Sequence, residues 1–149
     1  MTTAIIALLR LSLAFWVGGV AIFTFILTPI IFSNENRDVA GRIVGYLFPG
    51  YFRWGLACGA VALVCLLLQR NVTRHFIAGV ALLAVMLAAT SFQAFYIEPK
   101  AAALKKDIPS FQTTPKDHPL RREFSRLHAI SATCNLVVFG AGTILVVLL

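Results

Sequence analysis

This sequence predicts an all-α fold, an integral membrane four-helix bundle, and three observations lead there. First, 59% of its 149 residues are hydrophobic and 13% are charged, against roughly 45–50% and about a quarter in ordinary soluble domains. A soluble domain of this size would leave much of that apolar surface in water. Second, acidic and basic residues are kept out of four windows: Leu11–Phe32, Trp54–Gln69, His75–Ile97 and Leu127–Leu149. Three of these are 22 or 23 residues long, and a helix needs about 20 apolar residues to cross a bilayer. A single Arg or Asp at the centre of such a helix costs about 2.5–3.5 kcal/mol on insertion scales. Third, the basic residues are asymmetric. With four spans, Arg10, Arg70 and Arg74 fall on the side of both termini, and the other ten of the 13 basic residues fall on the opposite side. The positive-inside rule then places the basic side in the cytoplasm and both termini on the non-cytoplasmic side.

The chain reads as one four-span membrane domain, residues 1–149, with helices at about 8–32, 50–69, 75–97 and 124–149. The first run is too long for a signal-peptide core and is followed by further spans, so it is read as a retained helix. Its Gly18 and Gly19 offer close approach to a neighbouring backbone, and Pro29 is expected to bend or end it. After a turn at Ser33–Asn36, the stretch RDVAGRIVGYLFPGYF predicts a short interfacial helix, broken at Pro49-Gly50. The second span is the weakest, with 16 residues between Arg53 and Arg70. Phe48–Phe52 extends it if Arg53 snorkels to the interface; a re-entrant segment is the lesser alternative. Gly55 and Gly59 form a GxxxG spacing, read as a packing notch.

Arg70–Arg74 leaves room only for a tight hairpin before the third span, which Glu98-Pro99 is expected to close. The connection 98–123, broken by Pro109, Pro115 and Pro119, has no apolar core of its own. It is expected to be a cytoplasmic flap with a single helical turn at 101–106. The fourth helix ends at Leu149 without a soluble tail, which favours a membrane unit complete in itself or assembled laterally. Thr28-Pro29 and Glu98-Pro99, each before a charged connection, hint faintly at a duplicated hairpin.

Candidate functional residues come from polar side chains in these spans. His128, Ser131 and Asn135 are three or four positions apart and share one helix face. A buried amide in hydrocarbon needs a partner, so that face must look into the bundle. Topology puts Thr28, Tyr51, Arg53, Gln93 and Glu98 near the same membrane side, and together the eight predict a polar vestibule or ligand face. In it Arg53 and Glu98 would pair, while Tyr51 and Gln93 would satisfy His128 or Asn135. The competing reading is a structural network that locks the helix ends together.

Other chemistries find less support. Cys58 and Cys65 share a helix face, but no CxxC or Met-rich cluster accompanies them, so the cysteines read as small packing residues. His75 and His128 lie towards opposite surfaces, which is poor for paired haem ligation. No catalytic residues are assigned, because Ser131, His128 and Asp117 lack a nucleophile elbow. No cofactor is therefore predicted, with metal and haem left open. The net charge of +7 flanks spans and forms no contiguous groove, so it predicts membrane lipids rather than nucleic acid as partner. Exposed helix surface and small-residue notches add a homo-oligomer or a larger membrane complex.

Four stretches carry a family resemblance: FWVGG at 15–19, TPIIF at 28–32, AGRIVGYLFPGYF at 40–52 and REFSRLHAISATCN at 122–135. In that order they resemble the transmembrane protein 205-like family, whose bacterial members bear the label of a domain of unknown function. The resemblance implies a small multi-pass membrane protein of about four helices. It also marks Trp16, Gly18, Gly19, Pro29, Phe32, Gly45, Phe48, Tyr51, Phe124, His128 and Asn135. Eukaryotic members are associated with cellular resistance to platinum drugs, an association that assigns no transport activity to this chain. The helices are also similar in flavour to copper-resistance D-type membrane proteins, without their metal-ligand array. Three functions follow as expectations: an accessory or structural subunit of the bacterial inner membrane, a transporter or channel for a small solute or metal species, or a membrane enzyme acting on a lipid-like substrate.

Overall fold

A computed structural model describes residues 2–71 and 73–149, the side chain of Thr2 excepted. Among the described residues, four helices are long and apolar enough to cross a membrane: α1 (Thr3–Asn34), α2 (Arg37–Leu68), α3 (Phe76–Asp107) and α4 (Pro119–Leu148). Each packs on its neighbours in sequence, and α1 closes on α4, giving an up-down-up-down ring. The 35–36 turn and the 108–118 connection lie at one end, here the loop end. Both termini and the 69–75 turn, of which Val72 lies outside the described residues, lie at the terminal end.

The helices are longer than the sequence predicts, and the prolines explain why. At 32 residues and 1.5 Å per residue, α1, α2 and α3 each run about 48 Å, against about 30 Å of hydrocarbon. Pro29 is expected to bend or end its helix and Pro99 to close the third span; the chain opens into a wide π turn just before each and the helix continues past it. These turns are Ile22–Leu27 and Gln93–Ile97. Thr28 N–H donates to Phe23 O, and Glu98 N–H donates to Gln93 O, each bond reaching back five residues. A proline cannot donate, and its ring crowds the carbonyl four residues earlier. The widened turn takes up that misfit, and helix resumes to Asn34 and to Asp107.

Pro49 does not break α2 either. Phe48 and Phe52 stack across it at 5.4 Å, and Phe48 packs on Phe23 of α1 at 5.5 Å. Neighbouring helices let membrane helices absorb an interior proline. The interfacial helix and the second span are thus one rod.

True ends have local causes. Asn36 caps α2 by accepting from Val39 N–H at 2.9 Å. Helix α3 stops where Pro109 holds Ile108 extended, at φ −96° and ψ 111°. Pro119 opens α4 at a position where its missing N–H costs nothing.

The 98–123 connection shrinks accordingly to residues 108–118, and it is anchored. Asp38 of α2 accepts from Ser110 Oγ at 2.6 Å and from Phe111 N–H at 2.7 Å. Phe111 packs on Phe124 at 4.7 Å, Ile108 is buried, and Arg121 donates to the Thr114 carbonyl.

Within the bundle, Leu13, Trp16, Leu66, Leu83, Met86, Val138 and Leu145 form the densest core. Cys58 and Cys65 are buried among them as free thiols. Large apolar side chains such as Ile77, Phe95 and Val147 face outward, as lipid contact requires. The chain is an integral membrane protein.

Candidate functional site

All four helices contribute to one polar cluster in the bundle interior. Asn135 of α4 is 7% exposed. Its Oδ1 accepts from the Tyr51 hydroxyl of α2 at 3.1 Å, and its Nδ2 donates to Thr24 Oγ1 of α1 at 3.3 Å. One turn towards the loop end, Ser131 Oγ donates to Gln93 Oε1 of α3 at 2.8 Å, and Gln93 is 1% exposed. Thr24 lies inside the first π turn and Gln93 opens the second. Both proline-associated turns therefore deliver a polar side chain to α4. Turns of this kind often stand where function bends a helix.

Apolar packing closes around the cluster. The Tyr51 ring stacks on Phe23 at 4.3 Å. Trp16 fills the Gly55/Gly59 notch so closely that a Cβ at Gly55 would meet its Nε1 at 2.8 Å, and one at Gly59 would meet its Cζ3 at 2.6 Å. Between Trp16, Tyr51, Trp54, Gln93 and Asn135 there remains a cavity of about 10 Å³. That is the lower limit for one water molecule. No buried side-chain nitrogen or oxygen among the described residues lacks a hydrogen-bond partner. Chemically, such a cluster of neutral donors and acceptors can hold helices in register and seat a water.

Of the eight residues expected to form a vestibule, the structure brings four together: Tyr51, Gln93, Ser131 and Asn135. Thr28 is half-buried at the end of its π turn and makes no side-chain hydrogen bond to the cluster. Arg53 and His128 are exposed and Glu98 is half-buried. The expected Arg53–Glu98 pair does not form; the ion pair among the described residues is Lys100–Glu123, at 2.7 Å. The expected vestibule is thus a closed cluster.

The glycines divide too. Gly55 and Gly59 seat Trp16, but a Cβ at Gly18 would meet nothing within 4 Å, and one at Gly19 would touch Trp54 at an ordinary 3.5 Å. Close approach instead occurs at Gly142, where a Cβ would meet Val17 at 2.5 Å. Sequence reasoning missed Thr24, although it is the one hydroxyl between Ser12 and Thr28. No group of three or more His, Cys, Asp or Glu side chains among the described residues is placed to hold a metal ion.

A family model described as "Domain of unknown function (DUF4149)" matches residues 11–110. No curated protein and no solved structure matches the chain.

Proposed function

Since the chain belongs to this DUF4149 family, whose description assigns no activity, we propose from its geometry that it serves as an accessory or structural membrane subunit. The cluster around Asn135 would then be a lock between helices. One observation carries this reading: the polar side chains satisfy one another around a cavity of about 10 Å³, far below the roughly 300–1,000 Å³ of small-molecule sites. The basic loop end supports an orientation with that end in the cytoplasm of a bacterial inner membrane.

We further propose that the chain is a member of the transmembrane protein 205-like family. Three of its four motifs lie within the matched residues; the fourth, Arg122–Asn135, lies beyond them.

The test has two arms. Native mass spectrometry of the chain released from its membrane in mild detergent should find it in a defined assembly larger than a monomer. Proteoliposomes of the purified chain should pass neither small cations nor small neutral solutes. Solute flux that Asn135→Leu abolishes in a folded protein would reject the lock.

The paired π turns favour a second reading, transport of a small solute or metal species. Each marks a point where the loop-end half of α1 or α3 can pivot about its other half. Crosslinks across Thr24 and Asn135 that block flux would support it.

A further inference from the structure

Outside the polar cluster, a groove of about 580 Å³ opens at the loop end, between the 35–36 turn and the 108–118 connection. Its volume lies within the range of ordinary ligand sites. Arg37, Lys116 and Arg121 line it, opposed by one carboxylate, Glu35.

Arg121 is the informative member. It is 7% exposed, and its one hydrogen-bond partner is the Thr114 carbonyl. A guanidinium carries five donors in a planar fork, and no nitrogen among the described residues is both sealed from water and unpaired, so the donors that Thr114 does not take up stay open to solvent. The ion pair among the described residues lies elsewhere, at Lys100–Glu123. Glu35 lines the groove without pairing to any of its three cations. The site is therefore a cationic recess with donors to spare.

The recess is also built to hold its shape. Asp38 clamps the Ser110–Phe111 segment of its wall onto α2 through two hydrogen bonds. The N-terminus of α2 lies at the same place, with the Asp38 carboxylate in its first turn offsetting its positive potential. The hydroxyl residues Thr113 and Thr114 also line the groove. Three cations beside hydroxyl side chains supply the charge-assisted donors that phosphate oxygens accept.

We propose that the groove lined by Arg37, Lys116 and Arg121 binds a phosphate group. The phosphate belongs to an anionic lipid headgroup at the membrane surface or to a phosphate ester in water.

The experiment uses the full chain in nanodiscs. One arm measures enrichment of phosphatidic acid over phosphatidylcholine around the protein. The other measures binding of inorganic phosphate and glycerol phosphate by calorimetry in phosphatidylcholine discs. Arg37→Gln with Lys116→Gln is the main variant, since both side chains are exposed and their loss leaves the fold intact. It should weaken binding at least about tenfold, as expected for lost charge-assisted contacts. Arg70→Gln with Arg74→Gln, at the terminal end, should leave it unchanged. Enrichment of phosphatidic acid alone identifies a headgroup site, and binding in the calorimetric arm identifies a soluble ester. Binding in neither arm overturns the proposal, as does an equal loss in the Arg70/Arg74 variant, which would reduce the effect to general surface charge.

Discussion

Asn135 and Arg121 stand on the same helix and are equally buried, 7% exposed each, yet their surroundings differ in kind. Asn135 is neutral, bonded to two side chains from two other helices, and borders a cavity of about 10 Å³. Arg121 is charged, bonded to one carbonyl, and borders a groove of about 580 Å³. Depth of burial does not separate these two polar groups. Whether the donors are used up, and what space they face, does.

Substitutions should widen or collapse that contrast. The largest effect is expected beneath Asn135, where Trp16→Ala empties the Gly55/Gly59 notch. Loss of a buried tryptophan costs about 3–5 kcal/mol, to be read as unfolding free energy in detergent; a loss below about 1 kcal/mol would mean that the notch does not organise the core. Gly59→Leu attacks the same contact from the other side, and overpacking should cost about 1–3 kcal/mol. Removing the amide itself, by Asn135→Leu, should cost only about 1 kcal/mol, since membrane hydrogen bonds average about 0.6. A double-mutant cycle with Tyr51→Phe should return a coupling of that size, and zero coupling would deny the bond.

On the groove side, Arg37→Gln with Lys116→Gln should shift stability by no more than about 0.5 kcal/mol, as exposed substitutions do. A thermal-shift assay that shows these residues as destabilising as Asn135 would erase the contrast. The effect of Glu123→Gln should be of similarly small size. It breaks an ion pair with Lys100 that is half in water, and such pairs contribute about 0–1 kcal/mol.

Much of this architecture was legible in the residues. The charge-free windows announced four spans because hydrocarbon excludes charge whatever the tertiary contacts. Gly55 and Gly59 were legible as a notch, since a GxxxG spacing has few other uses. Helix ends were not. Pro29, Pro49 and Pro99 look like stops locally, and only neighbouring helices and widened turns make them passable. His128 shows a similar limit. Spacing alone puts it on the face of Ser131 and Asn135, but the buried stripe of α4 runs Leu127, Ser131, Asn135, Val138. Traced back from Ser131 in steps of four, that stripe arrives one residue early and leaves the imidazole outside. The groove was hidden because it joins Arg37 to Lys116 and Arg121 across the whole length of two spans, a pairing that no local pattern encodes.

The two π turns have a further consequence for the geometry of the surface. Each holds about one residue more than the α turn it replaces, so the helix beyond it is rotated by about 100° relative to an uninterrupted one. In α1 the inward-facing sequence positions are therefore reset at Thr28, and in α3 they are reset at Glu98. A single helical wheel drawn over either rod superimposes two phases and blurs them. Drawn separately, the segments before and after each slip would show which side chains meet lipid and which meet protein.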